Sequence, residues 1–306
     1  MGVCADQVIE HLESTHGVSI TGLTALDRQV FRVDRRDGPA WVARVFPPQR
    51  PVDAVEGDAA ILNRLAEAGF PAERCAAPVS TMDGQGVLVT QFVEGVPPGP
   101  GGRLFAVLGA LLGGLHARPA SRMRPGGAWH HLAPTGGPAE EIDAALALLQ
   151  SARSRIGGTQ SDEWTVLLDA VAGLDDAADL PHGFVHPDFV PANVVETAGG
   201  DLVIVDWAGA GRGPRLWSLA YLLFVAGIRD LRLVDAVATR YRRHVQPTAG
   251  ELERLAGAMR ARPLLLDCWS VGAGRRTPAE AVHRLRRAAP LADRIAARAI
   301  SAFTGT

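Results

Sequence analysis

Lysine is missing from this chain: all 31 basic residues are arginine. Any cation that grips a phosphate or a carboxylate must therefore be Arg or His, and Arg stays charged in every realistic environment. Cysteine is scarce. Cys4, Cys75 and Cys268 lie far apart, with neither C-x-x-C nor a metal-ligand spacing, and read as free thiols of a reducing compartment. A basic excess is absent too. The net charge of −2 at pH 7 is not that of a duplex-binding domain, so nucleic acid is not an expected partner. Long apolar runs are also lacking: residues 104–115 and 216–228 fall short of the roughly 20 needed to cross a bilayer. The opening MGVCADQ has neither the basic nor the apolar part of a secretory signal, and Asp6 stands where myristoylation wants Ser or Thr. The expectation is a cytoplasmic protein with no membrane partner.

Asparagine occurs only as Asn63 and Asn193, and the second falls in the most informative stretch, residues 182–207, HGFVHPDFVPANVVETAGGDLVIVDW. Two β-prone runs, 194–196 and 202–205, flank Thr197-Ala198-Gly199-Gly200-Asp201 and read as a hairpin. Closing it brings Asn193 within a few ångströms of Asp206. An amide oxygen and a carboxylate suit Mg²⁺, which takes one or two carboxylates from protein and completes its shell with phosphates and water. Before Asn193, on a loop kept irregular by Pro187 and Pro191, stands Asp188, with His186 two residues earlier. A carboxylate beside a Mg²⁺-phosphate site orients a hydroxyl and accepts its proton during phosphoryl transfer. Asp and Asn around a hairpin are ordinary loop residues, but with so little Asn their meeting with His186 and a second Asp is not a chance pattern.

The order H-x-D-x-x-x-x-N, hairpin, Asp resembles the catalytic loop and metal-binding Asp of the protein-kinase fold, and its His-Pro-Asp, Asp-Trp and following Gly-rich form resembles the aminoglycoside phosphotransferase family. That resemblance implies an α+β, bilobal protein-kinase-like fold. Residues 1–95 would form a small N-terminal nucleotide-binding lobe, with a five-stranded antiparallel sheet and one main helix. Residues 96–306 would form a larger, mostly helical lobe for catalysis and substrate. It implies ATP, with GTP the alternative, and Mg²⁺ as cofactors. Asp188 would take the acceptor hydroxyl, His186 would brace its loop, and Asn193 and Asp206 would hold the metal. The acceptor would be a small molecule, an antibiotic such as an aminoglycoside in the leading reading. A metabolite kinase (amino alcohol, homoserine or sugar) and a non-catalytic nucleotide-binding protein are the alternatives.

Periodicity places the parts. A helix over residues 5–16 precedes strands at 18–23, 29–35 and 40–46. Between the first two, residues 22–28 sit like a nucleotide-covering loop, with Gly22 their only glycine. In the third strand Arg44 alternates with Val42 and Phe46, where the resemblance puts a phosphate-holding Lys; the planar fork of Arg serves phosphate oxygens as well. A helix over 52–68 follows. The family's E-A-x-x-L-x-x-L pattern makes Asp58 the acidic partner of Arg44, with Glu56, on another face of the helix, its rival. Strands at 77–81 and 87–93 flank Asp83-Gly84, a hairpin signal, and the resemblance implies that the backbone near Gln91 and Val93 meets adenine. Pro- and Gly-rich residues 96–102 form a linker.

Helices are expected at 103–116, 138–155 and 161–174, from 216 onward, and across 229–303 with Pro247, Gly250, Gly272 and Pro290 as interruptions. His116 reads as a packing residue at a helix end. Acids outnumber arginines between Glu140 and Asp179, either as a field for a polyamine acceptor or as solvated helix faces. Few residues separate Asp206 from the next helix, which favours a small-molecule acceptor over a polypeptide. Ser218 stands where the family commonly has Asp.

Overall fold

Alternation along Trp41-Val42-Ala43-Arg44-Val45, buried and half-buried by turns, is the pattern of a strand that covers a core with one face. A computed structural model describes residues 4–121, 123–156 and 162–305. The first three residues, whose myristoylation was considered above, and Ser161, the expected start of a helix, lie outside them. The chain divides into two compact units, Met1–Pro98 with Ala192–Ala208, and Gly99–Pro191 with Gly209–Thr306.

In the first unit, α1 (Ala5–His16) leads into a five-stranded antiparallel sheet of β1 (Ile20–Asp27), β2 (Val30–Arg35), β3 (Trp41–Val45), β4 (Ser80–Met82) and β5 (Gln85–Gln91), in the order β1-β2-β3-β5-β4. Val8 and Leu12 of α1 pack on one face with Val33, Trp41, Ala43, Val45, Val87 and Val89. The main helix α2 (Val52–Glu67) lies on the other. A Cβ at Gly86 would come within 2.7 Å of Val55 Cγ2, so glycine there lets the helix settle onto β5. Arg44 pairs across the ladder with Leu88, which, like Gly86, is on the α2 side. Asp83 and Gly84 have φ of 49° and 76°, the left-handed pair that a two-residue hairpin turn demands.

Residues 22–28 are not a loop. β1 continues through them as far as Asp27, pairing Leu23 with Val33 and Ala25 with Phe31 despite two register shifts, and the turn is confined to Arg28 and Gln29. Beyond Gly22 this stretch has neither proline nor glycine to stop the pairing, and β2 offers it β-forming partners. Gly22 is thus a strand residue opposite Asp34.

The hairpin of β7 (Val194–Glu196) and β8 (Leu202–Ile204) also belongs to the first unit. Backbone bonds fasten both of its strands: Ile204 N–H to Pro71 O (2.8 Å), Glu73 N–H to Ile204 O (2.9 Å) and Val96 N–H to Glu196 O (3.0 Å).

The second unit is built from α3 (Gly102–His116), α4 (Pro138–Ile156), α5 (Asp162–Ala172), α6 (Arg215–Gly227), α7 (Leu231–Tyr241), α8 (Ala249–Gly272) and α9 (Pro278–Thr304). A ribbon of β6 (His182–Val185) paired with β9 (Gly211–Pro214) accompanies them. Pro290 does not interrupt: it sits inside α9, as Pro263 sits inside α8, and Gly250 lies in the first turn of α8. An interior proline costs a helix about 3 kcal/mol. Burial of Ala292, Ile295, Ala296 and Ala299 after Pro290 and the capping box of Thr277 with Glu280 act against that cost. Among the described residues no helix is long and apolar enough to cross a membrane.

His116 closes α3 in the core, its Nδ1 2.8 Å from the Tyr241 hydroxyl. Burial, and secondarily the charge of Arg215, push its pKa down to about 3 from 6.5. The unfolded chain therefore binds a proton that the native state refuses, so this group's contribution to stability, full above pH 6.5, is lost as pH falls toward 3. In His116→Gln, which keeps a polar partner for Tyr241 but does not titrate, the decline of melting temperature from pH 7 to pH 4 is expected to be shallower. Parallel curves for parent and variant would refute this.

Candidate functional site

Within the first unit, closure of the hairpin sets Asn193 against the end of β8. Val205 N–H donates to Asn193 O at 2.9 Å, and Asp206 is the next residue. Asp206 has φ of +66°, a left-handed conformation that Asp tolerates better than most residues and that recurs at functional sites. Two contacts hold it there. Its N–H donates to Glu73 Oε1 at 2.7 Å, and its Oδ1 lies 2.8 Å from Arg44 Nη1. Trp207 anchors the turn, buried on Phe70 at 5.7 Å between ring centroids and donating from Nε1 to Ile204 O at 2.9 Å.

Glu73 carries no motif in the sequence; the backbone clasp of residues 71–73 on Ile204 delivers it. Its other oxygen accepts from the Thr90 hydroxyl at 2.9 Å. Burial raises its pKa above the usual carboxylate value, while Arg44 opposes that rise and Asp206 adds to it.

Asp58 does not partner Arg44. Its carboxylate accepts from Arg50 Nη2 at 2.7 Å, both side chains being essentially inaccessible (0% and 1% exposed). A tight turn, Arg50 N–H to Pro47 O at 2.9 Å, folds Arg50 back from the start of α2, and its guanidinium lies 4.9 Å from the Phe46 ring centroid. Arg50 therefore claims Asp58, while Arg44 is turned to Asp206; Glu56 is exposed. Removing one member of a buried pair strands the other charge, at a cost of about 3–5 kcal/mol, whereas replacing both with apolar groups is close to neutral. Asp58→Ala is expected to lower the denaturant midpoint severely and Arg50→Met/Asp58→Leu to recover most of it. An Asp58→Ala protein as stable as the parent would contradict this account.

Gln91, exposed, ends β5 opposite Trp41, and half-buried Val93 lies in the irregular stretch beyond it.

In the second unit, the loop after β6 holds three consecutive carbonyls. That of His186 accepts from Ser218 Oγ (2.8 Å), that of Pro187 from Arg262 Nη2 (2.7 Å) and that of Asp188 from Val190 N–H (2.9 Å). His186 is buried and its Nδ1 accepts the Asp188 N–H at 3.0 Å, which puts the ring proton on Nε2. It braces the loop, and Ser218 anchors it with a neutral hydroxyl. Asp188 keeps 18% of its side chain exposed.

Arg262 and Glu141 had no motif either. Arg262 sits on the apolar face of α8 that includes Leu255, Ala258 and Leu265; a lone Arg at that helical spacing is the signal that was available. It pairs with Glu141, both fully buried. Burial pushes Glu141 up to about 7, with Arg262 and the Trp129 backbone opposing the rise. The acidic stretch is thus partly consumed inside this unit: Glu141 by Arg262, and Asp175 and Asp179 by Arg254 at 3.3 and 2.6 Å. The cysteines are free, Cys4 exposed, Cys75 half-buried and Cys268 buried.

The five-stranded antiparallel sheet with α2 and the helical second unit define a protein-kinase-like fold. The sequence profile described as the phosphotransferase enzyme family (APH) matches residues 20–258; the chain belongs to this family and is a phosphotransferase. Among similar solved structures is the choline kinase LicA from Streptococcus pneumoniae, 17% identical over 94% of this chain and 98% of that one, with a TM-score of 0.66. Amicoumacin kinase hAmiN, solved with AMP-PNP, Ca²⁺ and Ami, is 13% identical over 95% and 94%, TM-score 0.66. An aminoglycoside phosphotransferase from Alicyclobacillus acidocaldarius subsp. acidocaldarius DSM 446 is 16% identical over 100% and 98%, TM-score 0.59. No curated protein matches by sequence.

Proposed function

We propose that this phosphotransferase is a cytoplasmic, ATP- and Mg²⁺-dependent kinase that moves the γ-phosphoryl group to a hydroxyl of a small molecule, an antibiotic such as an aminoglycoside in the first reading. The observation that carries it is Asp206: a carboxylate in a left-handed turn at the open end of a hairpin, ion-paired to Arg44 and one residue from the Val205 amide that binds Asn193. Residues 1–95 handle nucleotide in this reading. Arg44 holds phosphates and the backbone near Gln91 and Val93 meets the base; GTP is the alternative donor. Asn193 and Asp206 offer two hard oxygens to a divalent ion. Among the described residues no group of three His, Cys, Asp or Glu stands ready to cage a metal, so phosphates and water would supply its remaining donors. Bound there, the ion neutralises charge on the phosphates. Residues 96–306 supply the acceptor side. Asp188 orients the hydroxyl and receives its proton, and His186 keeps the loop in shape.

A second reading of the acceptor has its own support. Arg262 and Arg254 neutralise Glu141, Asp175 and Asp179, which leaves a weaker field for a polycation and favours a small metabolite such as an amino alcohol, homoserine or a sugar. Purified protein with Mg²⁺-ATP, assayed against aminoglycosides, other antibiotics, amino alcohols and sugars by ADP release and product mass, separates the two. Phosphorylation of metabolites alone would rule out the antibiotic reading, and no product with any hydroxyl compound would rule out both.

A further inference from the structure

Arg262 reaches Glu141, the Pro187 carbonyl and Asp188 together. Its Nη1 contacts Glu141 Oε1, its Nη2 donates to Pro187 O at 2.7 Å, and its Nε lies 3.7 Å from Asp188 Oδ1. The last distance is that of an ion pair, too long for a hydrogen bond, so the guanidinium biases the carboxylate without binding it tightly. A lone buried cation beside Asp188 would favour its charged form and weaken it as a base. Glu141 limits that by sharing the charge, and the half-buried Tyr221 ring, 5.9 Å from Arg262 Cζ, walls the group on another side.

We infer that Arg262, clamped by Glu141, is a positioning residue for phosphoryl transfer: through the Pro187 carbonyl and the Asp188 carboxylate it fixes where the acceptor's proton is received. This rests on the reading of Asp188 given above. It adds to that reading that the geometry of the base is set from α8, by a residue distant in sequence from the catalytic loop.

The test compares the parent, Asp188→Asn, Arg262→Lys and the double variant Glu141→Gln/Arg262→Met, which removes the fully buried Glu141 charge together with its partner and leaves the partly exposed Asp188. ADP release from Mg²⁺-ATP with water as the acceptor is measured alongside melting temperature. The double variant is expected to melt near the parent and to lose about a hundredfold in kcat, the scale of a misplacement of about 1 Å, with KM for ATP unchanged. Arg262→Lys, which keeps a cation and one donor, should recover part of that loss. If the double variant turns over like the parent while Asp188→Asn is inactive, the inference fails and the role of Asp188 stands. If KM for ATP rises in step with the fall in kcat, or Lys restores nothing, Arg262 is merely structural and the inference fails. Should Asp188→Asn itself turn over normally, the reading of the base fails first. Were the double variant unfolded, Arg262→Lys with parental kcat would overturn the inference and a reduced kcat at unchanged KM would support it.

Discussion

Asp188→Asn is expected to bind Mg²⁺-ATP like the parent and to lose about 10²- to 10⁴-fold in turnover with an acceptor hydroxyl, the range that a positioned general base supplies. The substitution is nearly isosteric, and the loop does not depend on the carboxylate for its path. Ser218 holds the His186 carbonyl, Arg262 the Pro187 carbonyl, Val190 N–H the Asp188 carbonyl and His186 Nδ1 the Asp188 N–H. What Asn cannot do is take a proton. The groups proposed to hold nucleotide, Arg44, Asn193 and Asp206, are untouched, so binding should survive. Phosphoryl transfer passes through a loose transition state in which positioning and metal electrostatics carry most of the catalysis, so a residual rate is expected. Isothermal titration with Mg²⁺-ATP and a coupled ADP assay measure the two halves. Full turnover in the variant would end the assignment.

How much of this was legible in the sequence depends on how local the controlling interaction is. The β7–β8 hairpin was readable because its strands and its turn lie within a dozen residues, and the turn residues that close it also bring Asn193 to the end of β8. Asp83-Gly84 was readable for the same reason. Asp58 was misassigned because two arginines compete for one buried acid. The winner, Arg50, is chosen by a tight turn at Pro47 that periodicity does not encode. Glu73 was silent because its placement depends on a backbone clasp to Ile204, far along the chain. The expected loop at 22–28 failed by analogy: family position proposed a loop, but the residues pair as a strand. Pro290 misled because tertiary burial on α9 outweighs a local penalty.

Asp206→Asn is expected to abolish the Mg²⁺-dependent part of nucleotide affinity. Loss of a group that merely supports a metal ligand costs about 10–100-fold, so loss of a carboxylate proposed to be a ligand itself should exceed that. Asn is the informative replacement because it tolerates the φ of +66° at this position, where Ala would add strain of its own. The backbone bond to Glu73 is kept. The Arg44 ion pair is lost, and its side chains are only 17% and 25% exposed, but buried Glu73 still offers Arg44 a negative partner, so a modest fall in melting temperature is expected. Arg44, released from its carboxylate, still offers its fork to phosphate oxygens, which predicts that the weak binding of ATP measured with EDTA is retained or slightly strengthened while the gain on adding Mg²⁺ disappears. Titrations with and without the metal on parent and variant read that difference directly. An undiminished Mg²⁺ gain in Asp206→Asn would mean that the ion, if bound, is held elsewhere, and Asn193 would lose its proposed role together with Asp206.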